Sequence, residues 1–183
     1  KDLRKVVILL AHPNIKGSQA NKALIDAVSD MEGVAVFNLY ELSQEIAFNV
    51  DEWSKIISDA SAVIYQFPFY WMSAPSLLKK WQDEVFTFLS KTPAVAGKTL
   101  TVVTTTGSEY EAYRSGGRNR FTTDELLRPY QVSAIHSGMS WQTPIVVYGM
   151  GTADAGKNIA EGANLYKQRV EMLIGSSNAG NNW

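Results

Sequence analysis

Five stretches of the chain are apolar without alternation: 5–11 (KVVILLA), 34–39 (VAVFNL), 61–67 (SAVIYQF), 99–105 (TLTVVTT) and 143–148 (TPIVVY). Short apolar runs bounded by polar turns read as strands buried on both faces, because a half-exposed strand would alternate. Between them, apolar residues recur at three- and four-residue spacing over about 18–31, 51–60, 75–90, 122–136 and 156–174, which predicts helices. Strand and helix therefore alternate along the chain. Each helical segment is long enough for a crossover, so the strands are expected to run parallel, with helices on both faces of the sheet.

Five such units in 183 residues predict an α/β, doubly wound architecture. Strand order 2-1-3-4-5, the flavodoxin-like arrangement, suits five strands better than the six-stranded dinucleotide fold. A single domain is expected over 1–175, and the polar stretch that closes the chain predicts a flexible tail over 176–183. The opening KDLRKVVILLAHPN has a basic head and an apolar run, as a signal peptide does. That run, Val6 to Ala11, is shorter than the ~7–15 residues of a signal core and far below a membrane span, so it reads as the first core strand.

Composition narrows the chemistry. Hydrophobic residues make up 45% and charged residues 19%, enough apolar side chain for a substantial core. A net charge of −1 offers no basic excess for phosphate backbones, so nucleic acid is not an expected partner. The sequence has no cysteine, which excludes disulfides, thiolate nucleophiles and cysteine-bound metals and fits a reducing, cytoplasmic setting. Its two histidines, His12 and His136, belong to no metal-ligand spacing, and no metal site is expected.

In an open parallel sheet, ligands bind beyond the carboxyl ends of the strands where strand order reverses, here between strands 1 and 3. Three loops meet there. The first, AHPNIKGSQANKAL, holds His12 at a strand exit and Ser18 as the N-cap of a helix. The start of that helix, Ser18, Gln19, Ala20 and Asn21, offers free N–H groups and the positive end of the helix dipole to a phosphate. An ordinary capped helix accounts for the same residues.

The second loop, QFPFYWMSAPSLLKKW, puts Pro68, Phe69, Tyr70, Trp71 and Met72 at a strand exit, as one wall of a slot for a planar ring or as core packing. In the third, TTTGSEYEAYRSGGRNRF, Thr105, Thr106, Gly107 and Ser108 can present backbone N–H groups, Tyr110 and Tyr113 offer phenols, and SGGRN suits a lid or partner-facing loop. A phosphate cradle, an aromatic slot and a donor loop on one edge fit flavin mononucleotide (FMN). A nicotinamide dinucleotide fold is disfavoured because G-x-G-x-x-G is missing after strand 1. GTADAGKN at 151–158 approximates a phosphate loop, but Asn158 replaces the metal-binding hydroxyl, and a turn into the last helix suffices.

At these residues the chain resembles the flavodoxin-like NAD(P)H:quinone oxidoreductases, the DT-diaphorase family. The resemblance runs through AHP at 11–13, SQANKAL at 18–24, QFPFYWMSAPSLLKKWQDEVF at 66–86 and TTG at 105–107. GGRNRFTTDELLRPYQVSAIHSGM further resembles the small bacterial branch: modulators of drug activity, general stress flavoproteins and potassium-efflux ancillary flavoproteins. The resemblance implies FMN in each subunit of a homodimer, NAD(P)H as co-substrate and two-electron ping-pong reduction of quinones or azo compounds. It implies that His12 and Ser18 to Asn21 hold the phosphate and ribityl chain, Phe69 to Met72 flank the isoalloxazine, and Thr105 to Ser108 bind its polar edge. Tyr113 matches the family's active-site tyrosine, whereas Asn119 stands where the long eukaryotic pattern has a histidine.

Two other readings use the same fold. An electron-carrier flavodoxin would exchange single electrons at a docking surface, but such carriers are strongly acidic and this chain is nearly neutral. A regulatory flavoprotein subunit of a potassium-efflux system would bind a membrane transporter instead of serving mainly as an enzyme.

Overall fold

The computed structural model describes residues 5–42 and 47–175, so the tail expected over 176–183 lies outside the described residues. Strands β1 (Lys5–Leu10), β2 (Val34–Asn38), β3 (Ala60–Pro68) and β4 (Thr99–Thr105) pair in parallel, and β5 (Ser140–Trp141) and β6 (Ile145–Val147) both pair with β4. The order is β2-β1-β3-β4-β5, with β6 continuing the fifth position. This is the 2-1-3-4-5 sheet that the run pattern predicts.

Alternation along the central strands divides the core into two layers. Val7, Leu9, Tyr65 and Phe67 point to one face and pack with Leu78, Trp81 and Tyr130. Val6, Ile8, Leu10 and Ile64 point to the other and pack with Leu24, Tyr166 and Val170. Both faces of β1 and β3 are covered, so neither strand has polar alternation to show.

The helices are α1 (Gln19–Asp26), α2 (Leu39–Leu42), α3 (Val50–Ser58), α4 (Ser76–Trp81), α5 (Thr123–Leu126), α6 (Arg128–His136) and α7 (Ala155–Gly175). α4 runs on through a π turn, Gln82–Phe86, into a last α turn, Thr87–Leu89. Three expectations need correction. The helix expected over 122–136 is two helices: Pro129 supplies no N–H and its ring collides with the carbonyl four residues back, so the chain breaks at Leu127 (φ −91°, ψ 3°). The strand expected over 143–148 is shortened to β6, and a separate short strand, β5, precedes it; between them Pro144 has no N–H for the ladder and the Thr101 hydroxyl donates to the Gln142 carbonyl. The short helix α2 falls where only a strand end was expected.

Candidate active site

The carboxyl ends of β1, β3 and β4 are tied to one another by hydrogen bonds. The Ala11 N–H donates to the Gln66 carbonyl and the Phe69 N–H to the Thr105 carbonyl, each at 2.9 Å. Asn21, 1% exposed, donates from Nδ2 to Thr105 Oγ1 at 3.1 Å, and Gln66 Nε2 donates to the Asn21 carbonyl at 3.1 Å. The three loops singled out in the sequence therefore meet at one edge, with Asn21 and Thr105 at the junction.

In the first loop, Ser18 Oγ accepts the Asn21 N–H at 3.0 Å and caps α1. The Gln19 and Ala20 N–H groups, in the first helical turn, have no acceptor within the helix and are available to an anion. His12 is partly buried; its Nδ1 accepts the Asn14 N–H at 2.9 Å, and burial lowers its pKa. The imidazole is thus held in the tautomer that carries its proton on Nε2.

The second loop is a two-residue hairpin turn. Tyr70 and Ser73 exchange both backbone hydrogen bonds, at 2.8 and 3.0 Å. Between them Trp71 and Met72 have φ of 47° and 64°, the pair of positive angles of a type I′ turn, where glycine and asparagine are the favoured residues. Trp71 is 95% exposed at the tip. Trp71 and Met72 are thus held in a left-handed conformation at the strand exit, with no apolar cover on the indole. Phe69 is different: it packs edge-on against Tyr113 with ring centroids 6.1 Å apart.

In the third loop, the Thr106 N–H donates to the Val147 carbonyl at 2.9 Å, so it continues the sheet and is not a free donor. The Gly107 and Ser108 N–H groups have no partner among the described residues, and the Cα of Gly107 faces open space. Tyr113 is buried, in contrast to the exposed Tyr110. The segment SGGRN folds back on its own loop: Gly117, Asn119 and Arg120 N–H groups donate within it, and Arg118 reaches Ser108 Oγ at 2.8 Å and Glu109 at 3.2 Å. Gly117 makes this closure possible, since a Cβ there would run into the Glu111 carbonyl oxygen.

Sequence reasoning missed two contributors, of which the first is the segment after β6. Gly149, Met150 and Gly151 donate to the carbonyls of Ser108, Thr106 and Gly107 at 2.8–2.9 Å and fix the donor loop from its far side. A Cβ at Gly151 would lie 3.1 Å from the Gly107 oxygen, so the Gly-x-Gly spacing at a strand exit was the available signal. This is the segment that approximates a phosphate loop, and it turns into α7 instead. Tyr148, also missed, packs on Tyr110 and Tyr113 at 5.2 and 5.9 Å, and its hydroxyl shares a 2.6 Å hydrogen bond with Thr123. Burial raises its pKa, so it stays a neutral phenol.

A family model described as flavodoxin-like fold matches residues 4–170. A relative named an uncharacterized NAD(P)H oxidoreductase, YdeQ of Bacillus subtilis, is 35% identical over 94% of this chain and 89% of its own length. The potassium-efflux system ancillary protein KefG of Serratia proteamaculans is 36% identical over 79% of this chain and 81% of its own. Among solved structures, the general stress protein 14 of Treponema denticola in complex with FMN superposes with a TM-score of 0.84 at 30% identity, covering 92% of this chain and 99% of that one.

Proposed function

Because the chain belongs to the flavodoxin-like fold family over residues 4–170, we propose that it is an FMN-dependent NAD(P)H oxidoreductase that delivers two electrons to a quinone or similar acceptor. The observation that carries this reading is the exposed Trp71, presented on a left-handed turn at the same sheet edge as the unpartnered N–H groups of Gly107 and Ser108 and the start of α1. These three features match the three parts of FMN: flat ring, polar ring edge and phosphate. The structure solved with FMN at 30% identity supports the cofactor.

In this reading Ser18 shapes the start of α1 so that the Gln19 and Ala20 N–H groups face the phosphate. The Asn21 side chain keeps that helix start registered on β4, and His12 lies alongside with its proton on Nε2. Phe69 to Met72 form the apolar wall for the ring, with Pro68 fixing the direction of the chain as it leaves β3. Thr105 to Ser108 face the polar ring edge, where Gly107 and Ser108 supply the donors and Thr106 supplies rigidity. When bound, FMN supplies the two-electron exchange between nicotinamide and acceptor, and the protein supplies position and electrostatics. Tyr113 is the candidate to orient the acceptor oxygen and give it a proton, with Phe69 and Tyr148 fixing its ring.

We further place the protein in the cytoplasm as a homodimer. No helix of the described residues is long and apolar enough to cross a membrane. A second reading, a regulatory subunit on a potassium-efflux transporter, is favoured by the 36% identity to an ancillary protein of such a system. An anaerobic visible spectrum of the FMN-reconstituted protein, titrated with NADPH and then with a simple quinone, tests the enzyme. Bleaching followed by full recovery is expected. FMN that binds but is reduced by neither NADPH nor NADH would favour the regulatory subunit, and absence of flavin binding would overturn the site.

A further inference from the structure

The last helix carries two stripes. Ile159, Gly162, Tyr166, Val170 and Leu173 form its buried face. Leu165, Arg169 and Met172, four and three residues apart, form a second face that borders the open edge of the sheet. Between this face and the edge segment 143–146 lies a cavity of about 480 Å³, bounded at one end by Thr123, Asp124 and Tyr148. Leu165 and Met172, 55% and 49% exposed, leave apolar surface open on its rim. The volume falls within the ~300–1,000 Å³ of small-molecule sites.

Arg169 supplies the chemistry. Its guanidinium is half-buried, Nη1 donates to the Thr143 carbonyl at 2.6 Å, and no carboxylate pairs with it among the described residues. Burial lowers its pKa, and the Thr143 carbonyl is the one acceptor that meets it among the described residues. A guanidinium has five N–H donors, so a cation fixed by one carbonyl retains donors for a bidentate anion. Leu165, Met172 and Pro144 lie beside it and suit an apolar body. At the other end, Asp124 repels a second negative charge and, with Thr123 and Tyr148, favours a neutral or hydrogen-bond-donating group. The polarity of the cleft therefore fixes the direction of its ligand.

We propose that this cleft binds an amphipathic organic monocarboxylate, with the carboxylate on Arg169 and the apolar body against Leu165, Met172 and Pro144. The site is separate from the cradle at the ends of β1 and β3. It touches the candidate active site through Tyr148, which lines the cleft and packs on Tyr110 and Tyr113.

The test is residue-resolved NMR titration of the full chain with decanoate, with decanol as the uncharged control. Saturable shifts at Thr143, Arg169 and Tyr148 are expected with decanoate, and Arg169→Gln should weaken binding by about tenfold or more, as loss of a charge-assisted hydrogen bond does. Leu165→Glu, at an exposed position that leaves the core intact, should have the same effect by placing a like charge in the cleft. Absence of decanoate binding, equally tight decanol binding, or undiminished binding in both variants would overturn the proposal. If Arg169→Gln does not fold, the Leu165→Glu result alone decides.

Discussion

Trp71 offers an experiment in which stability and cofactor affinity should move in opposite directions. A non-glycine residue in the left-handed region costs roughly 1–2 kcal/mol, and Trp71 sits there at φ 47°. At 95% exposure its side chain returns little burial energy to the free protein. Asparagine tolerates the same backbone conformation, so Trp71→Asn should stabilise the FMN-free protein by about 1 kcal/mol, or ~2–4 °C in Tm for a chain of this size. Trp71→Ala keeps a Cβ in the same conformation and should leave Tm nearly unchanged.

Both variants remove the indole from the proposed flavin wall. An aromatic contact is worth ~0.5–1.5 kcal/mol beyond area burial, so each should weaken FMN by roughly two- to tenfold, and Trp71→Phe should largely restore it. The assay pairs thermal denaturation of the FMN-free protein with a fluorescence titration of FMN. A lower Tm for Trp71→Asn would refute the strain argument, and wild-type FMN affinity in all three variants would refute the wall.

Four further outcomes follow from the same geometry. Tyr113→Phe should slow quinone reduction more than flavin reduction in stopped-flow; equal slowing of both half-reactions would remove its role as proton donor. Asn21→Ala loses the bond to Thr105 at the junction of the loops and should cost ~1–3 kcal/mol, read as a lower denaturation midpoint at unchanged m-value. Gly117→Ala forces a Cβ onto the backbone of the Tyr110–Tyr113 turn and should cost ~1–3 kcal/mol, with a raised KM for the acceptor as Tyr113 moves. Burial lowers the folded-state pKa of His12, so as pH drops through the unfolded-state value of about 6.5 the unfolded chain binds more protons and stability decreases; in His12→Gln that part of the loss should vanish from urea midpoints measured between pH 7 and 5.

The sheet was legible because its signals are local. β1 from Val6 onward and almost all of β3 are buried on both faces, which selects mostly apolar residues, and the runs at 5–11 and 61–67 carry that requirement in the sequence itself. The α1 cap was legible for the same reason, since Ser18 serves the N–H of Asn21 only three residues away. Pro129 and Pro144 also marked their breaks in plain view, but the apolar periodicity around them outweighed the signal. Strand order followed from element count and crossover geometry.

What the sequence could not decide were pairings between distant segments. Whether Thr106 or Gly107 keeps a free N–H depends on Val147 lying alongside, more than forty residues later in the chain. The conformation of Trp71 is set by the bridge from Tyr70 to Ser73, not by the side chain, which by its own preference would avoid it. Tyr148 reaches Tyr113 only because β6 pairs with β4, and Arg169 faces an open edge because, among the described residues, no strand pairs beyond β6. Periodicity and capping are settled by neighbours along the chain, so sequence alone determined the layers, the capped start of α1 and the edge where the loops meet. Donor availability, aromatic clustering and uncompensated charge depend on which remote backbone comes within about 3 Å, and the tertiary structure alone decides that.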